Sequence, residues 1–357
     1  MLQDKDKQML LSICVPTYNR NEDLAKLNEL FIIPALQRYG GLIEVVVSDN
    51  SDQNISEINE RMLGPKVRYY KNERNLGFAG NLVECILRAN GEFVWIISDN
   101  DQIIFSGFDE IINNLTSSWC KDVDALMLPF ETKKTDGNID VSNTSRDWGV
   151  RSSCSVGQLI SQHRLPFVLF SSVVIRNNKS STEVVRSAFL GNDYIQIALF
   201  LEMLDRQSII SFVSRPVICY TPEYHCRFRI MSLSNSMNEI YAYLYERFGL
   251  IVDKKRIYGR WLTWMLHHRA GFYVFKDGDK EKWRLISRIT RNFNAANAVK
   301  VLGLLVPRFI FVPFYAWYKS YKDMKVGCSG FEMHKLIRNA AVNKALFKKN
   351  LNKGYGK

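Results

Sequence analysis

Asp99-Asn100-Asp101 sets two carboxylates one residue apart at the end of an apolar run, and that spacing can do chemistry. Carboxylates this close repel each other unless something positive lies between them, and a divalent cation is the usual answer. Asp and Asn are also good turn formers. On this stretch alone, a metal and phosphate site over residues 98–101 and a plain turn stand side by side. The preceding run, Phe93-Val94-Trp95-Ile96-Ile97, is bounded by Gly91 and by polar residues, and reads as a buried strand. Strands buried on both faces belong to parallel sheets, and open parallel sheets take ligands beyond the carboxyl ends of their strands.

The elements that must position these carboxylates can be read in chain order. Residues 10–19 give a strand that ends at Pro16 and a polar loop. Asn21 to Tyr39 reads as a helix with Leu24, Leu27, Leu30 and Phe31 on one face. Residues 42–48 give a second strand closed by Asp49-Asn50-Ser51-Asp52, residues 55–63 a short helix, and Val67 to Tyr70 a third strand. The loop Asn72 to Gly77 leads into a helix over Phe78 to Ala89, and the strand before Asp99 follows. Strand and helix alternate, as in a nucleotide-binding α/β sheet. Further strands are expected at 126–130, 167–175 and 209–220 (the last interrupted by Pro216), with an apolar helix from Tyr194 to Leu204 and a loop or edge hairpin at 131–152.

Val15-Pro16-Thr17-Tyr18-Asn19-Arg20, Asp49-Asn50-Ser51-Asp52, Asn75-Leu76-Gly77 and Ser98-Asp99-Asn100-Asp101 occur in this order and spacing. Together they resemble family 2 glycosyltransferases of the GT-A fold, with the look of bacterial transferases that build O-antigen or capsule repeat units. The resemblance is strong over residues 10–105 and thinner to about residue 230. It implies an α/β fold: a nucleotide-binding, mostly parallel sheet flanked by helices, followed by a basic, aromatic-rich C-terminal helical region. The catalytic domain is then expected over 1–235, with a nucleotide half at about 1–105 and an acceptor half at about 106–235. Residues 236–357 form the helical region.

By that resemblance the loop Pro16-Thr17-Tyr18-Asn19 lines the nucleotide base, and Asp49 accepts a hydrogen from the base or the ribose. The other reading of Asp49 is a turn. Arg74 and Asn75 precede a helix whose N-terminus favours an anion, and Gly77 allows close backbone approach. Asn81 is expected within reach of base or ribose, or else on the surface as a capping residue. Asp99 and Asn100 are assigned to the donor nucleotide-sugar. Asp101, with Asp99 beside it, is assigned to Mg²⁺ or Mn²⁺ on the donor diphosphate. His225 is a further candidate ligand of the metal or phosphate. Asp193 matches the family's catalytic base, although Asn192 stands where a Glu is usual; a helix N-cap is its structural alternative. Glu202, within the helix, and Glu223 are poorer rivals for the base.

Net charge is +12, and it is unevenly placed. From Lys254 onward there are 23 Lys and Arg against 5 Asp and Glu, so the remainder carries 25 against 31. A basic, aromatic tail points to an anionic surface. Residues 301–318 run apolar but contain Pro307, Arg308 and Pro313, which reads as an interfacial segment or as a kinked helix packed on the core. Seven cysteines without a CxxC pair fit a reducing compartment. The apolar stretch Met9 to Val15 is too short for a signal core.

These features give an expected whole: an inverting, single-addition sugar transferase, peripheral on the cytoplasmic face of the bacterial membrane. Its donor would be linked to UDP, GDP or dTDP and its acceptor would be a lipid-linked saccharide, with no nucleic acid involved. No Gln-x-x-Arg-Trp motif of processive members occurs. A nucleotidyltransferase would want a Gly-rich basic loop after the first strand, and Pro16 to Asn19 is not one. A binding protein with a dead site is opposed by the intact Asp99, Asp101 and Asp193.

Overall fold

A computed structural model of the protein describes residues 9–133, 139–142, 151–153, 169–204 and 208–220, with 236, 239, 240, 242, 243 and 245–247. All of them belong to one compact unit made from residues 1–226 and 232–252. The chain opens with β1 (Leu11–Thr17), α1 (Asn21–Leu27), a π-helical turn (Asn28–Ile32) and α2 (Ile33–Tyr39). Next come β2 (Ile43–Asp49), α3 (Gln53–Leu63), β3 (Arg68–Lys71), α4 (Gly77–Leu87) and β4 (Phe93–Ile96). β5 (Gln102–Ile103), α5 (Phe105–Leu115), β6 (Ala125–Met127), β7 (Phe130–Lys133), β8 (Ile139–Ser142) and β9 (Arg151–Ser153) follow. The described part closes with β10 (Val173–Arg176), α6 (Lys179–Phe189), α7 (Ile195–Met203), β11 (Ile209–Phe212) and β12 (Ile218–Tyr220).

The large sheet has the order β3-β2-β1-β4-β10-β6-β11-β9, and a smaller sheet has the order β5-β12-β7-β8. β3, β2, β1 and β4 are mutually parallel; β10 lies antiparallel between β4 and β6, and β11 pairs parallel to β6. This is the expected mostly parallel α/β sheet flanked by helices. The register sets Thr17 opposite Asp49 and Asp49 opposite Lys71, so the first three strands end level. β4 continues in register beside β1, Cys14 facing Ile96. Every residue of β1, β2 and β4 except Pro16 is buried; β4 is an unbroken apolar run, and the polar Ser12 of β1 and Glu44 of β2 are buried as a hydrogen-bonded pair.

Aromatic packing locks one face of the sheet. Trp95 is fully buried and stacks on Phe108 at 5.8 Å between ring centroids, while Phe31 meets both edge-on at 5.9 and 5.0 Å. Rings of this size dominate core energetics, and edge-on pairs add to the area they bury. The other face is covered by α4, through Leu82, Val83 and Ile86, and by α7, which is buried on all sides from Ile195 to Glu202. Among the described residues no helix is long and apolar enough to cross a membrane.

Several expectations need correcting. The single helix over 21–39 contains a π turn, because Pro34 has no N–H to give the Leu30 carbonyl. Leu30 is not on the core face but 72% exposed; neighbours on a helix diverge by about 100°, so it cannot share the face of buried Phe31. The strand expected over 126–130 is two strands in two sheets, with the break at Pro129; the interruption expected at Pro216 is found, and there too the two pieces lie in different sheets. A 3₁₀ turn, Phe170–Ser172, precedes β10 where strand was expected from 167. The helices α5 and α6 fall where none was expected, whereas the edge hairpin expected in 131–152 is β7–β8. The C-terminal helices and the 301–318 segment lie outside the described residues.

Candidate active site

The loops leaving β1, β2 and β4 at their carboxyl ends meet through side-chain hydrogen bonds. Thr17 ends β1 and donates from Oγ1 to Asp99 Oδ2 at 2.8 Å. Asn19 takes a positive φ of 51°, a conformation Asn tolerates better than most residues. It pairs with the β2 loop: its N–H donates to Ser51 Oγ, its Nδ2 to Asp52, and its Oδ1 accepts from the Asp52 N–H. Pro16 is partly exposed and Tyr18 is 48% exposed, so the Tyr18 ring stands open at this edge.

Asp49 is fully buried and already engaged. Its Oδ1 accepts from the Ser51 N–H at 2.6 Å, and its Oδ2 accepts from Asn59 Nδ2 and the Tyr69 hydroxyl, each at 2.7 Å. The turn reading is the one observed. The carboxylate shapes the loop, and its three hydrogen bonds leave about one of its acceptor sites unused. Asn81 is buried too, neither open to a ligand nor a surface cap. It donates to the Thr17 carbonyl and accepts from Asn72. Asn72 also donates to Asn50, and Asn50 to Asn75 and the Gly77 carbonyl. Asn75 Oδ1 receives the Gly77 N–H at 2.8 Å, and Gly77 has φ +71°, which suits Gly at this turn. Arg74 is exposed on this loop, with no ion pair or hydrogen bond to another described residue.

Asp99 and Asp101 differ in what holds them. Asp99 is 3% exposed; Oδ2 accepts from Thr17, and Oδ1 from Arg20 Nη1 at 3.1 Å and Ser98 Oγ at 3.4 Å. Burial pushes its carboxyl up, against the pull of the Arg20 guanidinium. Asp101 Oδ2 accepts one hydrogen bond, from the Ser98 N–H at 2.8 Å. Its pKa is pushed up to about 6, by burial first, with the Asp99 charge adding to it and the Ser98 N–H and the Ser171 hydroxyl opposing it. Ser171 Oγ is itself buried and makes no hydrogen bond of good geometry. Asn100 is exposed and accepts from Ser98 Oγ.

Part of this arrangement comes from far along the chain. Trp95 Nε1 donates to the Ser171 carbonyl at 2.8 Å, so the buried tryptophan of β4 fixes the turn that carries Ser171 to Asp101. Phe170 packs on Phe78 in the first turn of α4, with ring centroids 5.9 Å apart. On the other side, Leu190 packs near Gly80 of α4, which brings the loop 190–194 to the same helix. Asp193 is exposed on that loop, one residue before Tyr194, the N-cap position of α7. Asn192 is buried: Oδ1 accepts the Tyr194 N–H, while Nδ2 donates to the Ser236 carbonyl and to Glu239. A carboxylate could not make those two donations, which gives a physical reason for Asn at this place. Glu202 is buried in α7 and accepts from Tyr243 and Arg247. His225 and Glu223 lie outside the described residues.

A hard divalent cation fits the donor set at Asp101. The carboxylate is oxygen-only, partly buried and accepts a single hydrogen bond of good geometry, and an unsatisfied hydroxyl lies beside it. Among the described residues no three His, Cys, Asp or Glu side chains come together, so phosphate and water oxygens would have to complete the shell, as Mg²⁺ and Mn²⁺ sites commonly arrange. Sequence reasoning missed Arg20 and Ser171 as parts of this site. Arg20 was in view as the end of the first motif; Ser171 had no local signal.

Known proteins resemble this chain over the part that carries these loops. Residues 12–126 match the model of Glycosyl transferase family 2. Abequosyltransferase RfbV of Salmonella typhimurium is 24% identical over 230 residues, which are 59% of this chain and 66% of that protein. An uncharacterised protein of Mycobacterium tuberculosis is 30% identical over 96 residues, 27% of this chain and 29% of that one. The chain thus spans just under two thirds of the first relative and less of the second. Among solved structures, S. aureus TarS superposes with a TM-score of 0.51 at 16% identity, covering 81% of this chain and 50% of that one. Residues 12–126 thus match a family 2 glycosyltransferase domain, and the α/β sheet that carries them has the fold of that solved structure.

Proposed function

We propose that the protein is an inverting glycosyltransferase that moves one sugar from a nucleoside-diphosphate donor to a saccharide acceptor in bacterial surface polysaccharide synthesis. The observation that carries this is the meeting of the β1, β2 and β4 loops at one carboxyl edge around Asp99 and Asp101. In the proposal the exposed Tyr18 ring and the Asn19–Asp52 clasp form the base side, and Arg74 faces the diphosphate. Asp101 holds Mg²⁺ or Mn²⁺, which when bound neutralises charge on the departing nucleoside diphosphate. Asp193 takes the proton from the acceptor hydroxyl as its oxygen attacks the anomeric carbon and the bond to the diphosphate breaks. A lipid-linked acceptor and an anionic membrane surface agree with the basic tail.

Thermal shift with UDP, GDP and dTDP, each with and without Mn²⁺, tests the reading. Stabilisation by one nucleotide, enlarged by Mn²⁺, is expected; none with any of the three would overturn the donor assignment. Sedimentation with anionic liposomes tests the membrane part. Full-length protein that stays in the supernatant would remove it.

A further inference from the structure

The two acidic residues of Asp99-Asn100-Asp101 are not equivalent, and the difference assigns a role to Arg20. A metal ligand must offer a lone pair to an incoming ion. Both oxygens of Asp99 are engaged, Oδ2 by the Thr17 hydroxyl at 2.8 Å and Oδ1 by the Arg20 guanidinium at 3.1 Å, and the side chain is 4% exposed. Asp101 accepts one hydrogen bond. Arg20 is 50% exposed, so the same ion pair that closes Asp99 holds a cation at the rim of the carboxyl edge. The residues between Thr17 and Arg20 are fixed as well, by the three hydrogen bonds joining Asn19 to Ser51 and Asp52. An anchored guanidinium loses little freedom on binding, and its planar fork suits phosphate oxygens. Arg74, at the same edge, has no such anchor among the described residues.

We propose that Asp99 is a positioning residue that anchors Arg20 and that Arg20 contacts the donor's diphosphate. This rests on the donor-site reading above. Its consequence is that nucleotide affinity divides into a metal-independent part carried by Arg20 and a metal-dependent part carried by Asp101.

The experiment measures calorimetric affinity for whichever of UDP, GDP or dTDP the wild type binds, with EDTA and with Mn²⁺. Mn²⁺ binding itself is followed by electron paramagnetic resonance. In EDTA, Arg20→Met and Asp99→Asn should each weaken the nucleotide about tenfold or more, the scale of a charge-assisted contact. The double variant should be no weaker than either single one, and Arg20→Lys should recover part of the loss. Mn²⁺ binding should survive in Asp99→Asn and vanish in Asp101→Asn. Arg20 is half-exposed, so its variants report even if Asp99→Asn folds poorly. Loss of Mn²⁺ binding in a folded Asp99→Asn, or unchanged metal-free affinity in Arg20→Met, would overturn the proposal and leave the donor site standing. A wild type that binds none of the three nucleotides would overturn both.

Discussion

The two sides of the large sheet meet at β4 and are built by different rules. From β3 to β4 every strand runs parallel to its neighbour, every crossover carries a helix, and every loop leaves at the same edge. From β10 outward the directions are mixed, and the chain leaves for the smaller sheet after Pro129 and again after Pro216. On the first side a functional residue is placed by its own strand: Thr17, Asp49 and Asp99 follow directly from β1, β2 and β4. On the second side it is placed by contacts from elsewhere. Ser171 is held by Trp95 of β4, and the loop of Asp193 by Asn192 reaching Ser236 and Glu239. A parallel half thus sets up one carboxyl edge, and long-range packing brings the remaining candidate residues to it.

If that division is right, the sharpest break comes on the second side. Asp193→Asn should lower turnover by about 10²–10³-fold, the range of a lost general base, while calorimetric affinity for the nucleotide changes less than about twofold. Full activity in that variant would remove Asp193 from the chemistry. Next in size is the joint between the sides. A Cβ on Gly107 of α5 would stand 2.3 Å from the Pro216 carbonyl oxygen, so Gly107→Ala should destabilise by about 2–3 kcal/mol in urea unfolding. Wild-type stability there would mean that α5 and the 213–217 connection are less tightly joined.

A smaller effect concerns Asp101. Its folded pKa near 6 lies above the usual carboxylate range, so between about pH 4 and 6 the folded state holds the extra proton. Stability contributed at this position therefore rises as pH falls through 6 and is lost above it. Asp101→Asn should raise the stability of the metal-free protein at pH 7.5 by about 1 kcal/mol, a figure reduced from the full shift because the side chain is partly solvated. Mn²⁺ binding to the wild type should weaken steadily below about pH 6, since the proton competes for the ligand. Chemical denaturation at pH 5 and 7.5 checks the first; a destabilised Asp101→Asn at pH 7.5 would contradict it. Smallest is Leu30→Ser, expected within about 0.5 kcal/mol of wild type because Leu30 faces solvent.

The first side was the more legible because its signals are local. The apolar-rich stretches of β1, β2 and β4 and the polar clusters after them announce a parallel sheet and its carboxyl edge. α5 and α6 were not expected, although Phe105, Phe108, Ile111, Ile112 and Leu115 stand at helical spacing in the first and Asn178 caps the second by accepting the Ser181 N–H. The exchange of strands between two sheets was not legible: Leu126 to Phe130 looks like one strand until Pro129 is seen to end it.

Within the site, the sequence by itself determined which residue types gather at the sheet edge, because strand direction and loop order follow from the chain. Only the tertiary structure decided what each is free to do. Asp49 and Asn81 read as ligand contacts, yet their polar atoms are engaged inside the loops; Asp99 read as a donor contact and Asp101 as the metal ligand, and the structure adds that the first accepts from Thr17, Arg20 and Ser98 while the second accepts a single hydrogen bond from its own turn. The reason is that a carboxylate or amide has a fixed number of hydrogen-bonding sites. Which of them remain open depends on neighbours that lie up to 82 residues away in the chain.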